Sequence, residues 1–155
     1  MADEICIAAA DHPSLDGDID TFLGRLRAEQ RYFGPSARAN PKPSRSLTAS
    51  LRGRGGFRMA AVECGRIIAL ARVDGGGELF MAVDAEHRDR GVGTELGRMA
   101  AHRARQLHYT RIVIRSTRRS RAIHRIGEEL GCIVVEGQRG QIDFILDLLP
   151  AERTA

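Results

Sequence analysis

The sequence predicts an α+β domain in which a central mixed β-sheet of about six or seven strands is flanked by about four helices. The chain has 155 residues, of which 43% are hydrophobic and 28% are charged, as is typical of a globular domain. Strand-like and helix-like patterns follow one another in the order β-α-α-β-β-β-α-β-α-β-β. Neither an internal repeat nor a break in composition divides the chain, so we expect residues 1–155 to form one domain.

The first part of the chain predicts one strand and two helices. The apolar run from Glu4 to Ala10 is typical of a strand. Asp16 to Phe33 has apolar residues near helical spacing, preceded by Asp and Ser residues that suit a helix N-cap. Three prolines predict a loop over Gly34 to Ser46, and Ser44 to Leu51 is predicted as a short second helix.

A three-stranded meander and a long helix are predicted next. The runs Phe57 to Glu63 and Arg66 to Val73 flank Cys64-Gly65, which is typical of a tight hairpin. A third strand is expected from Glu78 to Val83. From Val92 to Leu107, apolar residues recur at helical spacing and predict an amphipathic helix.

The last third of the chain predicts a crossover to a second set of strands. Arg111 to Ile114 reads as a short buried strand, and its position after a helix suggests that it runs parallel to the Glu78 strand. Ser116 or Ser120 is expected to cap a helix that ends at Gly131. The final strands are predicted at Cys132 to Glu136 and at Gln141 to Leu148.

An arginine- and glycine-rich loop links the Glu78 strand to the long helix. Unpaired N–H groups at a helix N-terminus attract anions, and the glycines of Arg88-x-x-Gly91-x-Gly93 permit close backbone approach. The loop lacks the Gly-Lys-Ser/Thr of nucleoside triphosphatases and the Gly-x-Gly-x-x-Gly of dinucleotide folds. We therefore expect a pyrophosphate cradle of another kind. Because all but one of the 24 basic residues are arginines, the motif alone could occur by chance, and its setting between strand and helix gives it significance.

Composition narrows the classes of function. The net charge of +4 suits an anionic ligand, but an aromatic content of only 5% argues against stacking on nucleic acid. No apolar run is long enough for a membrane span, and no signal pattern is present, so we expect a cytoplasmic protein without a membrane partner. Cys6, Cys64 and Cys132 are too few and too scattered for a disulfide framework or a metal site, and are predicted to be buried.

The order of elements and the loop together resemble the GNAT acyltransferase superfamily along essentially the whole chain. Its signature Arg/Gln-x-x-Gly-x-Gly/Ala lies between the fourth strand and the next helix, where this chain has Arg88 to Gly93. The resemblance implies that acetyl-CoA binds here. Its pantetheine arm would pair with the backbone of Met81, Ala82 and Val83. Its pyrophosphate would lie on the N–H groups of Arg88, Asp89, Arg90, Gly91, Val92, Gly93 and Thr94.

Within the superfamily, the chain looks most similar to the GNAT domains of bacterial protein lysine acetyltransferases. Their Arg-Tyr-x-x-Phe-Gly-Pro-like segment is similar to Arg31 to Pro35, and their central glutamate falls on Glu78. The resemblance implies a primary amine as acceptor, with a protein lysine as one candidate, and is compatible with a homodimer.

Glu78 is the candidate general base for removing a proton from the attacking amine. The N–H near Val83 is the candidate donor to the thioester oxyanion. Glu86 and His87 are the next candidates for the base, although a solvated loop position is the favoured interpretation of both. His102 and His124 are expected to be ordinary surface or packed residues.

Two positions depart from the family pattern. Gly127 stands where many members have the tyrosine that protonates the leaving thiolate, and Ser120 stands where an asparagine often contacts pantetheine. The missing tyrosine leaves a non-catalytic acyl-CoA-binding module as an alternative to an N-acetyltransferase, and a basic nucleic-acid-binding domain is a third reading.

An arginine cluster beside this site also leaves three readings open. It would attract the 3′-phosphate of the cofactor, recognise an acidic protein, or form a solvated helix face. Its members are Arg115, Arg118, Arg119, Arg121 and Arg125.

Overall fold

The computed structural model describes residues 4–32, 41–118 and 120–149, with the side chains of residues 27–32 and 41–46 left out. This part of the chain contains seven strands and four helices in the expected order, which confirms the α+β fold. They are β1 (Cys6–Ala9), α1 (Asp16–Tyr32), α2 (Pro41–Arg52), β2 (Phe57–Glu63), β3 (Arg66–Val73), β4 (Leu79–Val83), α3 (Val92–Gln106), β5 (Arg111–Thr117), α4 (Arg121–Leu130), β6 (Ile133–Glu136) and β7 (Gln141–Asp147).

The strands form two antiparallel sheets that meet at one point. The first sheet has the order β1-β2-β3-β4, and the second has the order β5-β7-β6. A parallel bridge between Glu78 and Val113 joins them, and the Val113 N–H donates to the Gly77 carbonyl at 2.9 Å. The expected parallel relation between the Glu78 strand and β5 is thus present, but only as this single bridge, from which β4 and β5 continue in different sheets.

The apolar residues divide into two cores on either side of the first sheet. Ile19, Phe22 and Leu23 of α1 pack with Leu51 of α2 and Leu70 of β3 in one of them. The other core lies under α3 and α4 and extends across both sheets. It includes Leu96, Ala100, Ile112, Ile126 and Phe144. Because α3 and α4 contribute to the core that spans both sheets, they hold the two sheets in place around the bridge.

Several boundaries differ from the sequence expectations. Helix α2 begins at Pro41, so the predicted loop up to Ser46 is wrong from residue 41 onward. Proline is tolerated in a first helical turn because the N–H groups there have no partner within the helix. Strand β4 begins at Leu79, one residue later than predicted. Residues 33–40 lie outside the described part of the chain. They include the last three residues of the Arg31 to Pro35 segment on which the likeness to protein lysine acetyltransferases partly depends.

The expectation that the cysteines are buried is wrong for two of the three. Cys6 and Cys64 are exposed, and Cys132 is half-buried; the three thiols form no disulfide. Cys64 occupies the hairpin turn with a φ of 50°, followed by Gly65 at 72°, a pair of positive values that suits a two-residue hairpin. Burial raises the pKa of the Cys132 thiol, which disfavours its reactive thiolate.

Candidate functional site

Strand β4 has an open edge between the two sheets. Asp84 donates its N–H to the Ile68 carbonyl at 2.8 Å, and Asp74 donates its N–H to the Glu78 carbonyl at 3.0 Å. The backbone N–H and carbonyl groups of even-numbered β4 residues are therefore directed to β3. In an antiparallel pair, the backbone N–H and carbonyl groups of the intervening residues are directed away from the partner strand. The backbone groups of Met81 and Val83 therefore face the gap beyond the Glu78 bridge, whereas those of Ala82 are directed to β3.

The loop after β4 presents backbone N–H groups at the start of α3. Gly91 precedes the helix with a φ of 78°, a left-handed conformation, and Asp89 has a φ of 63°. The first bond within the helix runs from the Glu95 N–H to the Gly91 carbonyl at 3.1 Å, and Gly91 brings no capping side chain. The N–H groups of the preceding helical residues, Val92 to Thr94, thus have no intrahelical acceptor and suit an anion.

Loop side chains tie this cradle to its surroundings. Arg88 donates from Nε to the Val83 carbonyl at 3.2 Å, which fixes the loop to the end of β4. Arg125 of α4 donates to the Asp89 carboxylate at 3.4 Å and offsets its negative charge. A Cβ at Gly93 would lie 3.0 Å from Ile126 Cδ1 and 3.6 Å from Val83 Cγ2. Glycine at this position therefore allows α3, α4 and β4 to approach one another closely.

A buried polar cluster supports the loop from beneath. His87 is 8% exposed, and its Nε2 lies 3.2 Å from the Glu63 carboxylate, so the expected solvated position of His87 is wrong. Asp84, also buried, accepts the Glu86 N–H at 3.3 Å and lies 3.8 Å from the Arg25 guanidinium. Glu86 is exposed, as expected. The burial of His87 follows from its turn of 3₁₀ helix, which points the ring at the β2–β3 hairpin.

Glu78 lies where β4 meets β5. Its Oε1 is 3.2 Å from Arg115 Nε, and its side chain is 26% exposed. Burial raises the pKa of the Glu78 carboxyl, Arg115 works against this rise, and Asp74 and Asp143 add to it. The carboxylate thus becomes a stronger base than an exposed glutamate. The roles of Arg115 and Asp143 are not evident in the sequence, because these residues lie in segments distant from Glu78. Asp74 is only four residues away and accepts the Glu78 N–H at 2.9 Å, so the turn could have suggested its role.

The space beside Gly127 of α4, where many family members have a tyrosine, is filled by a side chain of strand β7. A Cβ at Gly127 would lie 2.3 Å from Phe144 Cδ1, so the Phe144 ring occupies the space beside this glycine. The ring also makes an edge contact with His124 at 5.1 Å between centroids. His124 is half-buried and lies 3.0 Å from the Thr117 carbonyl through Nε2, whereas His102 is exposed; both histidines are as expected.

The start of α4 carries a serine and several arginines. Ser120 is the N-cap residue, but its hydroxyl makes no capping hydrogen bond. The described arginines are exposed, and three have carboxylate partners: Arg115 with Glu78, Arg118 with Glu136, and Arg125 with Asp89. Arg119 lies outside the described residues. Exposed ion pairs of this kind contribute little to the stability of the fold. Because their side chains are exposed and weakly held, the arginines can exchange these carboxylates for an anionic ligand.

Two kinds of feature are absent from residues 4–32, 41–118 and 120–149. No group of three or more His, Cys, Asp or Glu side chains has the arrangement of a metal site in this part of the chain. Among the same residues, no helix combines the length and the apolar character needed to cross a bilayer.

Comparison with known proteins gives the same fold and the same family. A model of the acetyltransferase (GNAT) family matches residues 21–131. A search of curated protein sequences finds no match. Among solved structures, the ribosomal-protein-S18-alanine N-acetyltransferase from Escherichia coli is similar with a TM-score of 0.68 and 17% identity, over 98% of this chain and 99% of that chain.

Two further structures are similar over most of their length. YncA from Salmonella typhimurium, a putative acetyltransferase solved with acetyl-CoA, has a TM-score of 0.69 and 19% identity, over 97% of this chain and 96% of that one. The GNAT domain of PAT from S. lividans has a TM-score of 0.67 and 19% identity, over 91% and 89% respectively. At these identities the structural similarity shows the fold.

Proposed function

The chain belongs to the acetyltransferase (GNAT) family, and we propose that it moves the acetyl group of acetyl-CoA to a primary amine with Glu78 as general base. It is a GNAT-type N-acetyltransferase whose co-substrate is acetyl-CoA. One observation carries the proposal for the base. The Glu78 carboxylate has a raised pKa and stands at the bridge from which the open edge of β4 begins.

The cofactor would lie along β4 and the following loop. The loop N–H groups from Asp89 to Thr94 would hold the pyrophosphate, because the positive φ values and the uncapped helix start suit an anion. Arg88, whose N–H donates to the Ala85 carbonyl at 3.4 Å, would hold the start of this segment in place.

Met81 would pair with the pantetheine arm through its outward-facing N–H and carbonyl groups. Val83 would contribute its outward N–H at the thioester, because its carbonyl already accepts from Arg88 Nε. Ala82 would make no backbone hydrogen bond to the arm, because its N–H and carbonyl groups are directed to β3; it would hold Met81 and Val83 in register. The Ser120 hydroxyl, which makes no capping hydrogen bond, would supply a further contact.

The reaction joins the amine nitrogen to the thioester carbon. The acceptor ammonium first gives one proton to the Glu78 carboxylate, directly or through a water molecule, because the ammonium has no lone pair with which to attack. The neutral amine then attacks the thioester carbon, and its nitrogen loses a second proton to solvent. The carbonyl oxygen gains negative charge, which the outward N–H of Val83 would stabilise. The carbon–sulfur bond then breaks, and the coenzyme A thiolate leaves. Because Gly127 offers no acid, solvent would supply the proton that the thiolate takes.

A protein lysine is the finer proposal for the acceptor, and the resemblance to bacterial protein lysine acetyltransferases supports it. We propose a cytoplasmic location on the grounds of composition, with residues 1–155 acting as one domain. A homodimer is also proposed. Strand β6 supports it, since Ile133 and Val134 of this edge strand are 64% and 51% exposed. Sedimentation velocity measures whether the chain pairs in solution.

A non-catalytic acyl-CoA-binding module is the second candidate, and Gly127 favours it. The family tyrosine has no space at this position while Phe144 fills it. This candidate predicts tight acetyl-CoA binding without transfer to any amine, whereas the leading proposal requires turnover.

Glu78→Gln, studied beside wild type, tests the leading proposal. The amide keeps the shape of the side chain but cannot accept the proton, so we expect kcat to fall by about 10² to 10⁴. Calorimetric titration should find acetyl-CoA affinity unchanged. Glu86→Gln is the matched control, since it removes an exposed carboxylate near the loop, and it should retain wild-type turnover.

The outcomes separate the candidates. A wild-type rate in Glu78→Gln would remove Glu78 from the role of base. A loss in Glu86→Gln alone would transfer that role to Glu86. Acetyl-CoA binding with no turnover by wild type, across amines and lysine peptides, would favour the non-catalytic module.

A further inference from the structure

Arg115 is the cation beside the proposed base. Its Nε lies 3.2 Å from Glu78 Oε1, and its side chain is 62% exposed. An ion pair this exposed stabilises a fold by little, so packing alone gives no strong reason for an arginine here. The guanidinium also has four N–H donors besides the one on Nε, in a planar fork that suits a carboxylate.

The surroundings of Arg115 form an accessible face of the second sheet. Along β5, the buried residues Ile112 and Ile114 alternate with Val113 and the exposed Arg115. Asp143 of β7 stands directly opposite Arg115 in the strand register. This face therefore presents a guanidinium paired with the Glu78 carboxylate, with the Asp143 carboxylate on the neighbouring strand, at the point where the amine must arrive.

We propose that the acceptor carries a carboxylate close to its reacting amine, and that Arg115 binds this carboxylate. The inference rests on the proposed function, because it describes the acceptor of the same site. A free amino acid and a lysine with an acidic neighbour in a peptide both supply this chemistry.

Acceptor binding would exchange the charged partners of Glu78 and Arg115. An acceptor arrives as an ammonium, which pairs with the Glu78 carboxylate and takes it from Arg115. A bare amine would leave the guanidinium with only the Asp143 carboxylate on the opposite strand, and with most of its N–H donors unpaired. An acceptor carboxylate replaces Glu78 with a charge-assisted pair, in a geometry for which arginine is better suited than lysine. The exchange also separates Glu78 from the guanidinium that lowers its pKa. An acceptor with a carboxylate would therefore strengthen the base that removes its own proton.

Matched acceptors test the proposal in two arms. The first arm compares leucine with leucinamide, and the second compares a lysine peptide flanked by glutamate with the same peptide flanked by glutamine. We expect wild type to prefer the carboxylate-bearing member in at least one arm by about tenfold to a hundredfold in kcat/KM, the range of a hydrogen bond to a charged group. The arm that shows the preference identifies the source of the carboxylate.

Arg115→Ala should abolish this preference by slowing the carboxylate-bearing acceptor and sparing its neutral counterpart. Arg115→Lys should restore part of it. Arg118→Ala is the matched control, because Arg118 is equally exposed, pairs with Glu136 and does not contact Glu78. It should keep the wild-type preference.

Two results would overturn the inference alone. One is equal kcat/KM for both members of each pair, and the other is a preference that survives in Arg115→Ala. Failure to acetylate any amine would overturn the proposed function together with this inference.

Discussion

The cofactor loop and the base corner are built in different ways. The loop, residues 88–94, takes its geometry from contiguous residues, with positive φ values at Asp89 and Gly91 and an uncapped helix start at Val92. The base corner comprises Glu78 with the groups that tune it, and these come from a turn, from β5 and from β7. One region depends on local backbone conformation, and the other depends on how two sheets meet.

This difference determines how each region responds to change. A substitution in the loop alters the directions of N–H groups, so it should act on cofactor affinity. A substitution around Glu78 alters the charge or packing that strands of both sheets impose, so it should act on proton transfer or on folding. The predictions below test that separation, from the largest expected effect to the smallest.

Gly127→Ala tests how tightly the second sheet is packed beside the base corner. The new Cβ would lie 2.3 Å from the Phe144 ring, which is buried among core residues and cannot move freely. Overpacking of this kind costs about 1–3 kcal/mol, so we expect a Tm several degrees lower. Calorimetric unfolding measures it.

Gly97→Ala is the control for that substitution. Its Cβ would lie 3.2 Å from Leu130 Cδ1, at the flexible end of that side chain, and 3.6 Å from Ile126 Cγ2, an ordinary contact distance. Since alanine also favours a helix, Tm should stay the same or rise. An unchanged Tm in Gly127→Ala would show that Phe144 yields easily, and that the family tyrosine has room at this position.

Gly91→Ala tests whether the loop acts through backbone conformation. Gly91 has a φ of 78° and no atom near its missing Cβ, so alanine adds strain without a clash. A left-handed conformation costs such a residue about 1–2 kcal/mol. If the loop relaxes to avoid this strain, its N–H groups turn, and the Kd for acetyl-CoA should rise by about fivefold to thirtyfold.

Gly131→Ala provides the comparison for Gly91→Ala. Gly131 ends α4 with a φ of 77° and has equal space around it. It should lose similar stability while binding acetyl-CoA as wild type does. Equal weakening of acetyl-CoA binding by both variants would contradict a special role for the loop.

The pH profile tests how the base corner sets its proton affinity. Glu78 acts as a base only when ionised, so kcat/KM should rise with pH as its carboxyl loses the proton. Asp143 raises the Glu78 pKa, so Asp143→Asn should move the acidic limb to lower pH. Arg115 lowers that pKa, so Arg115→Ala should move the limb to higher pH.

Asp147→Asn controls for the loss of a carboxylate from β7. Asp147 lies opposite Arg111, further along the strand, and its variant should keep the wild-type profile. Shifts of Asp143→Asn and Arg115→Ala in the same direction would contradict the electrostatic explanation. The KM for acetyl-CoA should not follow these shifts if the two regions act separately.

Sequence patterns predicted the elements well where side chains report directly on burial. The runs that flank Cys64-Gly65 in β2 and β3, and the helical spacing in α3, gave boundaries that agree with the structure to within a residue. Pro41 misled the prediction, because a proline that breaks a helix interior is acceptable in its first turn. His87 misled it too, because a histidine in a polar loop gives no local sign that Glu63 lies beneath it.

The sequence by itself determined the order of the elements, the left-handed glycine of the loop and the place of Glu78 ahead of β4. These depend on periodicity, backbone freedom and short spacings, which neighbouring residues encode. Tertiary structure alone decided which groups surround Glu78, why Gly127 faces Phe144, and that Met81 and Val83 rather than Ala82 turn outward. Those features depend on strand register and on contacts between residues far apart in the chain, and no local pattern carries that information.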